Sequence, residues 1–236
     1  MQQNKIHRIY FDTELKVSKF IKLNIETKKR LKNILRLKDG SEIIVFNGDG
    51  NEYLSTIHYE NESNIHIIKL LRSSKSKSTK TVLAQSIPSY KYMDLAIQKS
   101  VEFGVDKIVP LITERSHPGN HQRKKSHWQK IIIHATEQSN GLFIPTIDDP
   151  EEFSNFIMRN KYEDFSKNLF DSSGREINDS DKKNVSRIII IGPEGGFSKN
   201  EIKLAETFNW NIISLGDRIL RTETAALVAQ VILRDR

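Results

Sequence analysis

Cysteine is absent from the 236-residue sequence, which excludes disulfides and thiolate metal sites. No apolar run approaches about 18 residues, the length a helix needs to cross a bilayer. The opening Met1-Gln2-Gln3-Asn4-Lys5 lacks the apolar core of a secretory signal. There is no internal repeat and no long low-complexity tract. Neither a G-x-G-x-x-G nor a glycine loop ending in Gly-Lys-Ser/Thr occurs, which removes two common phosphate-binding loops. These absences predict a soluble, cytoplasmic protein without membrane association.

What the sequence has is positive charge. Lys and Arg number 37 against 30 Asp and Glu, a formal net charge of +7, which favours a polyanionic partner. The length allows one large or two modest domains.

The N-terminal third reads as mostly β. Strands are expected at Ile6 to Phe11, Ser41 to Asn47, Glu52 to Tyr59 and Ile65 to Leu71, with turns at Asn47-Gly48-Asp49-Gly50 and Glu60 to Asn64. A basic helix is expected over Glu26 to Leu37, with Leu31, Ile34 and Leu35 on one face. Closely spaced strands and turns suggest a small barrel of about 70 residues. The polar, basic run Arg72 to Lys80 reads as an interdomain linker.

Beyond it the periods alternate between strand and helix. Thr81 to Ile87 and Val105 to Leu111 read as strands, with an amphipathic helix Tyr90 to Phe103 between them. Helices are expected from His127 to about Gln138 and over Glu151 to Lys161. The stretch Asn160 to Asn184 is poor in apolar residues and reads as a short strand around Leu169-Phe170 flanked by mobile loops.

The C-terminal segment holds the strongest pattern. The apolar run Val185 to Ile191 reads as a strand buried on both faces of a parallel sheet. Gly192-Pro193-Glu194-Gly195-Gly196-Phe197 then breaks it, and three glycines in five residues signal φ > 0 or a close approach to a ligand. Ser198-Lys199-Asn200-Glu201 forms a capping box for a helix over Lys199 to Phe208. Strand, loop and helix recur at Trp210 to Leu215, Gly216 to Arg221 and Thr222 to Arg234. Two such units bring both loops to the carboxyl edge of one sheet, where α/β proteins bind ligands.

Gly192-Pro193-Glu194-Gly195-Gly196-Phe197-Ser198, followed by Leu215-Gly216-Asp217-Arg218-Ile219-Leu220-Arg221-Thr222-Glu223-Thr224-Ala225, resembles the signature of the RsmE-type 16S ribosomal RNA uridine-N3 methyltransferases of the SPOUT class. Lys91-Tyr92-Met93-Asp94, Thr113-Glu114-Arg115-Ser116 and Glu137-Gln138-Ser139 are similar to the same family. Asn140-Gly141-Leu142 departs from it, standing where the family has a Gly–Arg pair. The resemblance implies an α/β, SPOUT-type trefoil-knotted parallel-sheet methyltransferase domain over residues 74–236, preceded by a small PUA-like RNA-binding β-barrel over residues 1–73. It also implies S-adenosylmethionine (SAM) as cofactor, the 30S subunit or its 16S RNA as partner, and a homodimer.

On that resemblance the cofactor site comprises Ile191, Gly192, Glu194, Gly195, Gly196, Leu215, Gly216, Ile219, Leu220, Thr224 and Ala225. Backbone amides and carbonyls with apolar walls suit SAM, which needs no charged clamp. Arg221 and Glu223 are the candidate catalytic pair and Glu194 the rival carboxylate, since uridine N3 must lose a proton before it attacks. These positions, at the start of the last helix, have a purely structural reading as well: Glu223 in the first turn suits the helix dipole, and Thr222 or Thr224 can cap. RNA contacts are expected from Arg8, Lys29, Arg30, Arg36, Lys91, Arg115, Arg123, Lys124 and Lys125. His117, His121 and His127 lie among these cations without carboxylates between Arg115 and Lys130, so they read as basic surface and not as a metal site. A SPOUT enzyme acting on a ribose hydroxyl or another base, and a non-enzymatic RNA-binding protein, are the competing functions.

Overall fold

The computed structural model describes residues 6–60, 62–159, 162–182 and 185–233. Its contacts divide the chain into two compact units, one of residues 1–76 with 136–144 and the other of 77–135 with 145–236. Among the described residues no helix is long and apolar enough to cross a membrane.

The first unit is built on a curled five-stranded sheet of order β1-β3-β4-β5-β2. Its strands are β1 (Arg8–Tyr10), β2 (Phe20–Lys22), β3 (Glu42–Phe46), β4 (Asn51–His58) and β5 (Asn64–Ser73). β1 runs parallel to β3 and the remaining pairs are antiparallel. Alternate residues point inward, so Ile43, Val45, Ile57, Ile65 and Ile67 pack with Ile9, Ile21 and Leu31 in one core. β2 has no counterpart among the expected strands, because three residues with one buried side chain leave no periodic signal.

The expected basic helix is shorter than its sequence pattern. Asn24 caps α1 (Ile25–Lys29) by accepting from the Thr27 amide at 2.7 Å. From Arg30 to Ile34 the turn widens, with Leu35 N–H donating to Arg30 O at 2.9 Å. Only Leu31 is fully buried there, so one side chain secures the whole stretch. The expected linker also begins later than its composition suggests. β5 continues through Ser73, and Ser74 N–H donates to Gly50 O at 2.9 Å.

Residues 136–144 group with the first unit, where they supply partners for its arginines. Arg8 donates to the carbonyls of Thr136, Glu137 and Gly141 at 2.9–3.2 Å while pairing with Glu52. Glu137, 5% exposed, takes both Arg30 nitrogens at 3.0 and 2.6 Å and the Tyr10 amide at 3.0 Å. Arg72 holds Glu52 and Asn140 O.

The second unit contains an all-parallel sheet of order β12-β10-β11-β6-β7-β8, with β9 pairing β7. In chain order its elements are β6 (Thr81–Ser86), α2 (Tyr90–Glu102), β7 (Lys107–Ile112), α3 (Lys125–Gln138), β8 (Thr146–Ile147), β9 (Glu151–Glu152) and α4 (Phe153–Met158). β10 (Ser166–Arg175), β11 (Arg187–Ile191), α5 (Lys199–Thr207), β12 (Asn211–Ile213) and α6 (Thr222–Leu233) complete it. One face, with Val82, Ala84, Ile188 and Ile190, packs on Phe153, Phe156, Phe197 and Ala205. α6 covers the other face, against β11 and α2.

The polar stretch before β11 is the main correction to the expected fold. It holds a ten-residue strand, β10, paired in parallel with both β11 and β12. Its polarity misleads because Asn168 is 0% exposed yet satisfied: it donates to Ser166 Oγ at 3.0 Å and accepts from Asn211 at 3.2 Å. A buried polar group with partners costs little. Helix α4 is six residues long, where eleven were expected, and the expected end at Asn160 and Lys161 lies outside the described residues. Arg234, the expected end of the last helix, does too.

After β10 the chain is fastened by Arg175, whose two nitrogens meet the Asp181 carboxylate at 2.8 and 2.7 Å. That hydrogen bond holds the Asp181 pKa below its ordinary value, despite burial. A depressed folded pKa adds stability at pH above the unfolded value near 3.9, and loses it as pH falls through the folded pKa. Asp181→Asn is therefore expected to flatten the acid limb of a stability-versus-pH curve below about pH 4. Chemical denaturation between pH 2.5 and 7 checks this.

Candidate active site

Parallel pairing sets the site's position. Phe170, midway along β10, lies in register with Ile191 and Ile213, the last residues of β11 and β12. The segments that follow them wall a cavity of about 600 Å³, within the range of small-molecule sites. One wall is Gly192 to Phe197, the second is Ser214 to Arg221 with the start of α6, and the third is Phe170 to Ser172; Tyr92 of α2 completes the lining.

The glycine loop is held from both ends. Gly196 N–H donates to Pro193 O at 3.0 Å, closing a turn, and Gly196 takes φ +67°, where a side chain would be strained. Ser198 and Glu201 form the expected capping box. The Glu201 carboxylate is shared, taking Ser198 N–H at 2.8 Å and Glu114 N–H at 2.9 Å. Removing the cap hydroxyl as Ser198→Ala is expected to cost about 1 kcal/mol of stability, read as a lower denaturation midpoint.

Arg115, expected as an RNA contact, is engaged with the glycine loop. Its Nη1 donates to Gly195 O at 2.6 Å and Phe197 O at 3.3 Å, and its stem lies 3.2 Å from where a Gly195 Cβ would be. The side chain thus braces the outside of the glycine loop. Glu194 is exposed, with Oε1 accepting Ser89 N–H at 3.0 Å. Desolvation raises its pKa, but hydrogen bonds from Ser89 and its own amide, with the nearby His117, outweigh it and leave the carboxyl below its ordinary value.

Glu223 is in a different setting. It is 8% exposed, lines the cavity, and its Oε2 is buried with no hydrogen-bond partner. Arg221, two residues earlier, is exposed and lines the same cavity.

Ten of the eleven expected cofactor residues, Glu194 among them, therefore converge, and Arg221 and Glu223 with them. Thr224 does not line the cavity, since one helical step turns a side chain by about 100° from Glu223. Ile219 lies at the rim, 95% exposed, rather than forming a buried wall. Phe170, Asp171 and Ser172 of β10 also line the cavity, as does Tyr92 of α2, and none was among the expected site residues. The β10 residues carry no motif, whereas Tyr92 stands in the family-like Lys91-Tyr92-Met93-Asp94.

The expected RNA contacts separate into free and engaged cations. Arg8 and Arg30 are engaged in the first unit's ion pairs. Lys125 pairs with Asp149 at 2.9 Å, and Lys124 sits 4.1 Å over the Tyr90 ring. Lys29, Arg36 and Arg123 are exposed, as is Lys91, whose Nζ lies 5.9 Å from the centre of the Tyr92 ring. The three histidines divide: His117 and His121 pack edge-on to Tyr90, while His127 meets Asp94 at 2.8 Å.

A parallel sheet with this cavity at its carboxyl edge, in a chain that also carries a small curled β-sheet unit, defines an RNA methyltransferase of the SPOUT class. The model of an RNA methyltransferase domain matches residues 75–234, and that of an RNA methyltransferase PUA domain matches residues 31–70. The ribosomal RNA small subunit methyltransferase E of Buchnera aphidicola (subsp. Schizaphis graminum) is 35% identical, over 96% of this chain and 95% of its own. That of Rickettsia conorii is 33% identical over 95% and 93%. A Legionella pneumophila methyltransferase solved with SAM bound is 32% identical with TM-score 0.89, covering 97% of both chains. The Neisseria gonorrhoeae ribosomal RNA small subunit methyltransferase E, solved with S-adenosyl methionine, is 28% identical with TM-score 0.87, covering 97% of this chain and 96% of that one. The chain belongs to the ribosomal RNA small subunit methyltransferase E family.

Proposed function

We propose that this chain binds SAM in the cavity beyond β10, β11 and β12 and methylates N3 of a uridine in small-subunit (16S) ribosomal RNA, as a step in ribosome maturation. The observation that carries this reading is the buried, unpartnered Oε2 of Glu223, a residue that lines the same cavity as Gly192, Gly195 and Gly196. An orphaned acceptor at a ligand site is costly unless the ligand satisfies it.

The residues fit the cofactor. Ile191, Leu215, Leu220 and Ala225 offer apolar surface, and no atom lies within 4 Å of where a Gly216 side chain would begin. When bound, SAM supplies an electrophilic methyl group on its sulfonium. Glu223 Oε2 accepts the N3 proton of uridine, which frees the nitrogen lone pair to attack the methyl group that bound SAM would supply. Arg221 stabilises the charge that gathers on the uracil O2 and O4. Glu194 is the weaker candidate base, because its carboxylate already accepts Ser89 N–H and is stabilised in its charged form. The exposed Lys29, Arg36, Lys91 and Arg123 supply phosphate contacts, and the enzyme works as a cytoplasmic homodimer on the 30S subunit.

Calorimetric titration of the full chain with SAM tests the cofactor assignment. Saturable one-site binding that Gly196→Val abolishes is the expected result. Absence of binding, or binding unchanged in a folded Gly196→Val, would remove the glycine loop from the site.

A further inference from the structure

The structure assigns Gln85 and Thr222 a joint positioning role, an inference that rests on the function proposed above. Gln85 lies on β6 opposite Ile191 of β11 and is 0% exposed. Its Nε2 donates to Ser86 O at 2.9 Å and to Thr222 Oγ1 at 3.0 Å, with Ile191 O at 3.5 Å. The Thr222 hydroxyl in turn donates to Gly192 O at 2.6 Å.

A hydroxyl has one proton to give. By accepting from the Gln85 amide, Thr222 is committed to donating to Gly192, so the relay runs in one direction from amide to hydroxyl to carbonyl. Gly192 opens the glycine loop, while Thr222 is the first residue of α6, between Arg221 and Glu223. One 2.6 Å bond therefore joins two walls of the cavity, and Gln85 ties that joint to the sheet.

Simple helix capping does not account for this geometry. A capping hydroxyl accepts from an amide of its own first turn, whereas this one bonds Gln85 and Gly192. Thr222 and Gln85 are both buried, where a hydrogen bond is hard to replace by water and its loss leaves an orphan. The relay thus sets where Arg221 and Glu223 stand relative to the glycine loop. Neither Gln85 nor Thr222 touches the reacting atoms in this account, so both are positioning residues.

The test uses full-length protein, saturating SAM and 30S subunits in single turnover, with SAM affinity measured alongside. Thr222→Val keeps the volume and removes the relay, and it is expected to slow transfer by about 10²-fold, the scale of an ångström-sized misplacement. SAM affinity is expected to change by less than about tenfold. Thr222→Ser restores the hydroxyl and is expected to recover most of the rate. Gln85→Met, which removes the donor to Thr222, is expected to slow transfer without abolishing SAM binding, and it decides the matter if Thr222→Val does not fold. A wild-type rate in Thr222→Val or in folded Gln85→Met would overturn the relay, and so would equal slowing in the Val and Ser variants. If the unmodified chain itself neither binds SAM nor methylates 30S subunits, the proposed function fails and this inference with it.

Discussion

Glu223→Gln is expected to slow single-turnover methylation by about 10²-fold or more, the usual contribution of a positioned base. The amide keeps the shape of the carboxylate but cannot take the N3 proton. SAM affinity is expected to change much less, because the interaction is made with the reacting base. The residual rate is expected to rise with pH beyond the range of the unmodified enzyme, as solvent hydroxide assumes the base's role. The competing view makes Glu223 a first-turn residue that complements the helix dipole, worth about 0.3–1 kcal/mol of stability and nothing in rate. Its burial and its unpartnered Oε2 argue against that view, since a capping carboxylate gains by accepting backbone hydrogen bonds. A wild-type rate in Glu223→Gln would move the base role to Glu194 or to water.

Gly174→Ala is expected to be the most destabilising single-methyl change in the second unit. A Cβ at Gly174 would lie 2.5 Å from Ile213 N, 2.6 Å from Ile213 C and 2.7 Å from Ile212 C. These are backbone atoms of the neighbouring strand, so no rotamer change relieves the clash. The strands must part where β10 pairs with β12, and that parting moves the second cavity wall, which follows β12. A loss of at least ~3 kcal/mol is expected, at the upper end for overpacking, or about 6–12 °C in Tm for a chain of this size. Thermal melts followed by circular dichroism check it, and a shift under about 2 °C would mean that β12 moves aside cheaply. SAM binding is expected to weaken in step with stability.

The site was more legible in the sequence than the fold around it, for physical reasons. Gly192 to Phe197 could be read because glycine clusters and capping boxes act locally: Ser198 and Glu201 make their bonds within one turn. Phe170 to Ser172 could not be read, because β10 is polar and its burial depends on strands that come later in the chain. The internal pairing of Arg8 and Arg30 could not be read for a related reason. Their partner Glu137 lies 107 residues beyond Arg30, and no window along the sequence reveals such a pairing. Gln85 carried no signal at all, as a lone polar residue in an apolar strand whose partner Thr222 is 137 residues away. Thr224 was misplaced because it stands inside a matching motif, while helical geometry decides which of its neighbours face the cavity.

The most direct test of the central claim is nucleoside analysis of RNA recovered after this protein is incubated with labelled SAM and unmethylated 30S subunits. The account predicts a single labelled product, N3-methyluridine, formed by the unmodified chain and strongly reduced with Glu223→Gln. Label found as a ribose 2′-O-methyl group or on another base, or no transfer by a chain that binds SAM, would contradict it.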